Sequence, residues 1–540
     1  MSTERSELKK LEALIKRRHP RHMQYYDTWE FLRIAREGGN AWKDRALMPY
    51  SAEELIVDFG ARKNRAIGNN HVKHVVSEKR NLLFRPGVNR SVVFPEDLDG
   101  PLREMWDAFC ENVDACGTSK DDFFRKVYGH GSLYSWMGIL VDKEESEKKG
   151  GKAPAVTDAL RNRDYPYCTS YTPQNILDWS IDKFGRLNWV FLRDVQRDDA
   201  DPMVENSSKQ LETYLLWTKT FWRRISVTAA AAKPAKSVYT FGSTITSDLD
   251  MRREITEPGV ETLHQLGEVP FVVYVDTEHP DEPLIGDNGT EEVADVSKGI
   301  LNMHSNLQEQ IYNTVFSLFV VRGGIKNINK ISKLRLGTRI AISVPAGGGV
   351  DFVSPSPTVV DSIQRWIDHE DRTIYMKAKL KSGFGEEKRP ERMSGVAHNL
   401  DYRVTNDEIA DDARVMERVE EEIDRLYGKW QQIAEFKTAV KYARNFSVMS
   451  SPEALSLWEQ ARNSPLPKTA MTELVKQTAK NLLPRLDPEK QAAIDAEAEA
   501  NPTPPQSGSS RLPVLPSGFG LNRELERRGG EGAQSTKSAD

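Results

Sequence analysis

The chain has 540 residues, of which 38% are hydrophobic and 29% are charged, and its formal net charge is −5. This composition is typical of a folded chain of roughly three to four domains, and the negative charge argues against a protein that grips nucleic acid over a broad surface. Cys110, Cys116 and Cys168 are too few and too irregularly spaced for a disulfide framework, so we expect reduced core thiols and assembly inside the cell. With no apolar run of about 18 residues and a charged N-terminus, neither a membrane span nor a secretory leader is expected.

Residues 1–160 are predicted to be mostly helical. The segment "SELKKLEALIKRR" has the pattern of a charged amphipathic helix, and a longer helical pattern ends near Phe84, where "RPG" stops it. Further on, "SKDDFFRKVYGHGSLYSWMGILVDK" changes from a helical pattern to an apolar strand at about residues 137–141.

Residues 165–275 have the pattern of a β-sheet. A turn is predicted at residues 182–185, and Trp189, Phe191 and their alternate neighbours suit a half-buried strand. The segments "LETYLLWTKTFWRRISV" and "LGEVPFVVYVD" continue this pattern. Between them, the low-complexity run "TAAAAKPAKS" predicts a mobile connector.

Helical periodicity returns at about Thr290. Apolar residues mark one stripe of a helix over 290–320, which would be about 45 Å long, and its centre "NMHSNLQEQIYN" is polar with few charges. A β-rich insert follows, and a second helix is predicted over 358–381. That helix carries its acids early and its lysines late; the order complements the helix dipole and is equally compatible with a functional charge gradient.

The second helix leads into a Gly-rich loop, "LKSGFGEEKRPERMSGVAH", in which three acids balance three bases between residues 386 and 392. A long acidic helix is predicted next, with capping-box spacing from Thr405 to Glu408. The segment "FKTAVKYARNFSV" predicts a strand, and two or three helices broken by prolines extend to about residue 500. The Pro/Gly/Ser-rich remainder predicts a disordered tail.

The sequence offers almost no catalytic chemistry. It contains no GxxxxGK[ST], GxSxG or HExxH motif, so no cofactor or catalytic metal is expected and we predict that the chain is not an enzyme. His71 and His74 share a helix face without a third ligand nearby, which favours ordinary surface or satisfied histidines. The acids of "VEEEIDRL" are most simply a solvated helix face.

The order of the elements is distinctive. A long helix leaves an α/β body, a small β insert follows, and a second helix returns to a Gly-rich loop, "SGVA" and a further helix. Upstream, "YGHGSLYSWMGILVDK" resembles an apolar strand preceded by an HG turn, "YPYCTSYTPQNILDW" resembles a P-Y…Y…NI-DW element, and "LGEVPFVVYV" resembles a G-x-P-F strand. Over roughly residues 60–480 the chain thereby resembles the portal proteins of tailed bacteriophages.

That resemblance implies an α+β portal fold in a mushroom-shaped ring, commonly of twelve copies. It assigns residues 1–289 to the first part of the wing, 290–320 to the first stem helix, 321–357 to the clip, 358–381 to the second stem helix, 382–397 to the tunnel loop, 398–449 to the second part of the wing, 450–500 to the crown helices and 501–540 to the disordered tail.

The resemblance also implies a function and partners. The ring would form the channel at the unique capsid vertex through which viral double-stranded DNA is packaged and ejected, without sequence specificity. The terminase large subunit and then the head-tail adaptor would dock on the clip, with major capsid and scaffolding proteins as further partners. The expected location is the virion, after assembly in the host bacterial cytoplasm, and no membrane partner is expected.

Three groups of residues are the candidate functional positions. The tunnel-loop, DNA-facing group is Lys381, Phe384, Glu386, Glu387, Lys388, Arg389 and Arg392. The stem-packing group is Ile300, Leu307, Ile311, Ile363 and Ile367. The clip group, which is equally well explained as a solvated hairpin face, is Lys326, Lys330, Lys333, Arg335 and Arg339.

Elementary geometry is compatible with such a channel. Helices pack about 8–10 Å apart, so twelve around a circle leave a bore of about 25 Å once a helix width is subtracted. A strongly basic loop repeated around that bore would hold the phosphates, whereas a loop with balanced charges can approach DNA and release it. A plain solvated interhelical loop is the alternative explanation.

Two other functions stay open on sequence grounds. The chain is alternatively a minor capsid or scaffolding-type interaction protein without a channel, whose long helices would pack into a bundle. A metal-dependent nuclease with Mg²⁺ bound by Asp and Glu is a less favoured alternative.

Overall fold

The computed structural model describes residues 2–94, 99–143, 164–197, 209–231, 251–287, 289–315, 318–322, 349–353, 357–380, 395–433, 436–444, 471–472, 475–476, 479 and 488–500. The chain divides into two compact units, Met1–Ser447 and Val448–Asp540. The described residues mix helices and sheets, which confirms the predicted α+β class.

The helices of the first unit are α1 (Ser2–Lys16), α2 (Pro20–Glu37), α3 (Gly39–Ala46), α4 (Ile56–Arg65), α5 (His71–Phe84), α6 (Asp99–Glu111), α7 (Lys120–Tyr134), α8 (Gly289–Val315), α9 (Pro357–Lys377) and α10 (Gly395–Trp430). The second unit contributes α11 (Pro488–Ala500).

The strands are β1 (Val88–Val93), β2 (Trp136–Asp142), β3 (Tyr167–Tyr171), β4 (Ile176–Ile181), β5 (Leu187–Arg197), β6 (Lys209–Thr218), β7 (Phe221–Ala231), β8 (Met251–Glu257), β9 (Thr262–Leu263), β10 (Phe271–Val275), β11 (Glu278–His279), β12 (Glu282–Gly286), β13 (Leu318–Arg322), β14 (Gly349–Val353) and β15 (Lys437–Tyr442).

The first part of the chain is helical, as predicted. Helix α5 begins after Asn70, whose side chain accepts a hydrogen bond from the N–H of Lys73, and it ends at Phe84, the residue predicted from the "RPG" stop. Strand β2 covers the apolar stretch that was predicted to be extended. Local capping and periodicity were therefore sufficient to locate these elements.

Three sheets build the body of the first unit. Strands β4, β5, β6, β7 and β8 form an antiparallel meander, with β9 beside β7. The predicted turn joins β4 to β5: Asp182 accepts hydrogen bonds from the N–H groups of Phe184 and Arg186, and Gly185 has a φ of 77°. Strand β2 lies between β10 and β3 in a second sheet, and β1 pairs with β15 in a third.

Two large apolar cores hold these elements together, and a smaller one lies under α1. The first core joins α2, α8 and α9 to β2 through residues such as Trp29, Trp136 and Ile374. The second packs α10 against α6 and α7 around Tyr427 and Phe109. Both cores include residues of β2 and β10, so the three-stranded sheet is shared between them.

Some predicted boundaries were wrong. Helix α8 ends at Val315, and Leu318–Arg322 form strand β13 instead of a final helical turn, because "LFVVR" is rich in β-branched and aromatic residues. Helix α9 ends at Lys377. Helix α10 begins at Gly395, so Thr405 lies inside the helix and does not cap it.

The prediction that the cysteines are core thiols is right for one residue and wrong for another. Cys168 is buried as predicted, but Cys116 is exposed, so it is not a core thiol. Among the described helices, none is long and apolar enough to cross a membrane. Residues 228–231, the first part of "TAAAAKPAKS", belong to strand β7, so the predicted mobile connector is wrong there. The rest of that run and the predicted tail over 501–540 lie outside the described residues.

Candidate functional site

Two long helices pack side by side in opposite directions. Glu292, near the start of α8, pairs with Lys377, the last residue of α9, and a side chain at Gly299 would lie 3.6 Å from the ring of Trp366. At the far ends of the two helices, β13 pairs antiparallel with β14, with Leu318 opposite Val353. The helix pair and the strand pair are therefore both antiparallel, and in the chain β13 follows α8 and β14 precedes α9.

The apolar stripe of this helix pair faces the chain's own body. Ile300, Leu307 and Ile367 are at most 5% exposed and belong to the first core, and Ile363 packs against that core while partly buried. Ile311 is 45% exposed. The apolar contacts of Ile300, Leu307, Ile363 and Ile367 thus lie within one chain. An amphipathic stripe in a sequence predicts that a helix face is buried, but it does not predict which chain covers that face. Which surfaces meet between copies stays a prediction.

The polar centre of α8 is an anchor for the segment α3–α4. Asn302 accepts a hydrogen bond from the N–H of Met48 and donates to the carbonyl of Ala46. Gln308 accepts from the N–H of Ile67, two residues after α4. These side chains therefore bind the same chain.

Arg62 is the centre of this anchor. Its side chain is 2% exposed and forms an ion pair with Glu54, 1% exposed, at 2.8 Å. The guanidinium also donates to Ser305 Oγ at 2.9 Å and to the carbonyl of Met48 at 2.6 Å. Because all of these acceptors are protein groups, the buried charge is paired and hydrogen-bonded. Sequence reasoning missed this residue, since a lone arginine in a short helix carries no motif.

The end of α9 is a Schellman motif that starts the Gly-rich loop. The N–H of Leu380 donates to the carbonyl of Tyr375 at 2.9 Å, and the N–H of Lys379 donates to that of Met376 at 3.0 Å. Lys379 has a φ of 54°, a left-handed conformation that favours glycine. Helix α10 holds it from both sides: Thr405 Oγ donates to its carbonyl at 3.0 Å, and its Nζ pairs with Glu408 at 2.6 Å.

A buried cluster of titratable groups lies next to this clamp. Glu408 also pairs with Lys79 of α5 at 3.2 Å, and Asp412, one turn further along α10, accepts a hydrogen bond from Tyr128. Burial and the neighbouring Asp276 carboxylate raise the pKa of Asp412 well above its ordinary value. Burial alone would lower the pKa of Lys79, but the Asp412 and Glu408 carboxylates outweigh it and raise that pKa. The start of the loop is thus tied to the interior of the body.

A second cluster lies where α5, α8 and α9 meet. His71 Nε2 is 3.6 Å from Asp371 Oδ1, and neither atom, nor His304 Nδ1, has a hydrogen-bond partner among the described residues. Burial lowers the pKa of His71 despite the attraction of the Asp371 carboxylate. The His71 side chain is 11% exposed, so of the two predicted alternatives, a surface or a satisfied histidine, the first is wrong. Within the described part of the chain, no group of three or more His, Cys, Asp and Glu side chains is arranged to hold a metal ion.

Two of the three predicted residue groups cannot be located. The seven tunnel-loop residues lie in 381–394 and the five clip residues lie in 323–348, both outside the described residues. What the structure describes is the frame on either side of them: the strand pair before and after the clip, and the clamped end of α9 before the loop.

No protein-family profile matches the sequence, and no curated protein matches it. Among solved structures, the chain is similar to one from the virion of a native gene transfer agent (GTA) particle, with a TM-score of 0.37, 12% identity and coverage of 82% of this chain and 98% of that one. A chain from the neck of an empty GTA particle computed with C6 symmetry gives a TM-score of 0.37 and 10% identity, covering 79% of this chain and 95% of that one. A chain from the neck of a native GTA particle computed with C12 symmetry gives a TM-score of 0.38 and 10% identity, covering 75% of this chain and 89% of that one. At such low TM-scores the likeness supports no function.

Proposed function

We propose that this chain is a portal protein, which forms a ring-shaped channel at the unique vertex of a tailed-phage-type capsid. The observation that carries the proposal is the order α8, β13, β14 and α9, in which the two helices and the two strands each pair antiparallel. A helix of 27 residues leaves the sheet body, a strand pair extends it, and a second helix packs back along the first before the loop and α10. This order supports a stem, a clip and a tunnel loop.

Exposure along the helix pair supports the same division. The first two-thirds of α8 is embedded in the body, where Val293, Ile300 and Leu307 are buried, whereas Ile311 and Tyr312 near its end are 45% and 48% exposed. A helix that is buried at its base and exposed towards its end suits an element that projects from the body. In a ring, the projecting ends would meet their counterparts in neighbouring copies.

The clamp at Lys379 supports a loop with a fixed starting point. Its backbone and side chain are both held by α10, so residues that follow begin from a defined position at the end of α9. The loop sequence is balanced in charge between residues 386 and 392, which suits contact with a moving duplex, because each phosphate that is neutralised adds to salt-sensitive affinity.

The proposed role requires no catalytic residue in this chain. DNA would be moved by a terminase docked on the clip, and the head-tail adaptor would take the same place after packaging. The channel function therefore depends on the geometry of the ring and on the charge of its lumen. It predicts that the chain has no enzymatic activity, so that substitution of a single acidic residue abolishes none.

Negative-stain electron microscopy of the purified chain and of intact particles tests the proposal. Views down the symmetry axis are expected to show a perforated ring, in solution or, if assembly requires other capsid proteins, at one vertex of the particle. Particles that contain the chain but no ring would overturn the proposal in favour of a minor capsid or scaffolding role. Mg²⁺-dependent cleavage of DNA that an acidic-residue substitution abolishes would favour the nuclease alternative.

A further inference from the structure

Three helices bring basic side chains together around Gly129 of α7. A Cβ atom added at Gly129 would lie 3.6 Å from Nη2 of Arg36, in the last turn of α2, and 3.8 Å from Cδ of Arg80 of α5. Arg36 also donates a hydrogen bond to Nδ1 of His130, the next residue of α7, at 3.3 Å. Two arginine side chains and one imidazole therefore border the same small space, and all three are partly buried.

No carboxylate of the described residues pairs with either of these two arginines. The acids at the same end of α2, Glu30 and Glu37, both pair with Arg33. Glu78 of α5 acts on Tyr375 of α9. The carbonyl end of α2 supplies only about half a negative charge. The two positive charges beside Gly129 are therefore largely unbalanced.

The pKa values of neighbouring groups show the same imbalance. A hydrogen bond to a carboxylate raises the pKa of Arg33. Burial lowers the pKa of Arg36 instead; only Tyr134 opposes that shift, and the charge of Arg80 adds to it. Burial, and then the charge of Arg36, lower the pKa of His130 to about 4. The space around Gly129 is thus a partly buried region of positive potential, which a bound anion would stabilise.

We propose that Arg36, Arg80 and His130 form a binding site for a phosphate-type oxyanion. A guanidinium is a planar fork that binds phosphate oxygens in pairs. Because Nδ1 of His130 accepts from Arg36, the neutral imidazole carries its proton on Nε2, which is left as a donor for the anion. Donors from three helices suit a tetrahedral oxyanion better than a planar carboxylate, and two arginines match the charge of about −2 on a phosphate monoester or free phosphate.

The groove between α5 and α7 continues from this site to a third arginine. Arg125 is exposed and lies one turn before Gly129 on α7, and its Cζ is 5.4 Å from the ring centroid of Phe84, one turn after Arg80 on α5. Free phosphate would occupy the site at Gly129 alone, whereas the phosphate backbone of a nucleic acid would also follow the groove past Arg125. The ligand chemistry is the same in both cases, and the two sources differ in whether Arg125 contributes.

Titration calorimetry of the full chain with inorganic phosphate, at near-neutral pH and constant ionic strength, tests the site. Arg36→Gln and Arg80→Gln are each expected to weaken binding by about tenfold or more, because each removes charged hydrogen bonds to the anion. Arg33→Gln is the matched control, since it removes the same charge from α2 but its guanidinium pairs with Glu30 and Glu37. Its affinity for phosphate is expected to equal that of the wild type. Arg80→Lys keeps the charge without the fork and should bind more tightly than Arg80→Gln.

Thermal melting distinguishes a binding site from a purely structural cluster. In phosphate-free buffer, Arg80→Gln relieves repulsion between two arginines, so its melting temperature should be at or above that of the wild type. Added phosphate should raise the melting temperature of the wild type and leave that of Arg80→Gln unchanged. Should Arg36→Gln fail to fold, Arg80→Gln carries the binding test as well.

Competition with a short DNA duplex identifies the source of the phosphate. Displacement of inorganic phosphate by the duplex, weakened in Arg125→Gln, would identify a nucleic-acid backbone, and phosphate binding without displacement would identify free phosphate. Either result requires the site at Gly129. No binding of phosphate by the wild type at millimolar concentration, or equal affinities of Arg80→Gln and Arg33→Gln, would overturn the inference.

A lower melting temperature of Arg80→Gln in phosphate-free buffer would also overturn it, because Arg80 would then be stabilised by its own chain. The site lies within one chain, so none of these outcomes decides whether the chain forms a ring.

Discussion

Arg62 of α4 donates a hydrogen bond to Ser305 of α8 at 2.9 Å, across 243 residues of sequence. The same guanidinium neutralises Glu54, and both side chains are almost completely buried. These contacts therefore fix the middle of α8 to the N-terminal segment α3–α4. They also fix the rotation of α4, whose Ile56 and Val57 are 77% and 80% exposed.

Removal of Arg62 is expected to destabilise the first unit strongly. Arg62→Ala leaves the Glu54 carboxylate buried without its partner, which costs about 3–5 kcal/mol. Arg33→Ala is the control, because Arg33 is 48% exposed and its ion pairs with Glu30 and Glu37 contribute about 1 kcal/mol or less. Denaturant unfolding of both variants measures the difference, and equal effects would show that the Arg62 pair is not buried in solution.

Substitutions in the apolar stripe of α8 and α9 are expected to lower folding stability before they affect assembly. Ile367→Ala removes a side chain that is 5% exposed in the first core and should cost about 2–5 kcal/mol. Met376→Ala, at 67% exposure on the same helix, should change stability by about 0.5 kcal/mol or less. Ile363→Asp is also expected to lower stability, because Ile363 packs on the chain's own core. Normal melting of Ile367→Ala with loss of rings would instead place that residue between copies.

Acid is expected to destabilise the protein through His130. Burial, and then the charge of Arg36, lower the pKa of His130 to about 4, against an ordinary value of 6.5. The folded state thus binds the proton less readily, so the contribution of His130 is complete above pH 6.5 and is lost as the pH falls from there towards 4. Between pH 7 and pH 5, wild type should lose about 1–2 kcal/mol more stability than His130→Gln.

Denaturant unfolding at several pH values measures this difference. His130→Gln keeps an acceptor for Arg36, whose guanidinium lies 3.3 Å from His130 Nδ1, so the variant removes titration with little change in packing. His369→Gln, at an exposed position on α9, is the control for replacing a surface histidine by glutamine. Parallel profiles for wild type and His130→Gln would show that His130 does not titrate on unfolding.

Substitution of Glu408 is expected to lower the stability of the protein more than substitution of Lys379, one of the two lysines with which it pairs. Glu408→Ala removes the partner of Lys79, which is 13% exposed, and should cost about 2 kcal/mol or more. Lys379→Ala, at 56% exposure, should cost less than about 1 kcal/mol. Unfolding midpoints compare the two. A larger loss from Lys379→Ala would contradict the buried role assigned to Glu408 and point to the backbone at Lys379.

Deletion of residues 384–392 is expected to separate assembly from DNA handling. The clamp at Lys379 and the cores of α9 and α10 lie outside the deleted segment, so ring formation should persist. If this loop contacts the duplex, packaging or retention of DNA should fall. Counts of filled and empty heads by electron microscopy measure this, and a wild-type yield of filled heads would reject the tunnel-loop assignment.

Local patterns predicted many elements correctly because their causes are local. The "RPG" after Phe84, the turn at Asp182 and the apolar run "PFVVYV" each depend on a few neighbouring residues, and the structure has a helix end, a hairpin turn and strand β10 there. Where two local patterns competed, prediction was wrong: the apolar stripe extended α8 to Leu318, but β-branched side chains favour the strand that begins there.

The sequence by itself determined the order of helices and strands, the amphipathic stripes of α8 and α9 and the absence of recognisable catalytic motifs, since these depend on spacing and residue type alone. Only the tertiary structure decided which surfaces the stripes cover, that Asn302 and Ser305 bind the α3–α4 segment, that His71 approaches Asp371, and that α4 buries an arginine and exposes Ile56 and Val57. These contacts join residues hundreds of positions apart, and their free energy depends on burial and on partners that no local pattern contains.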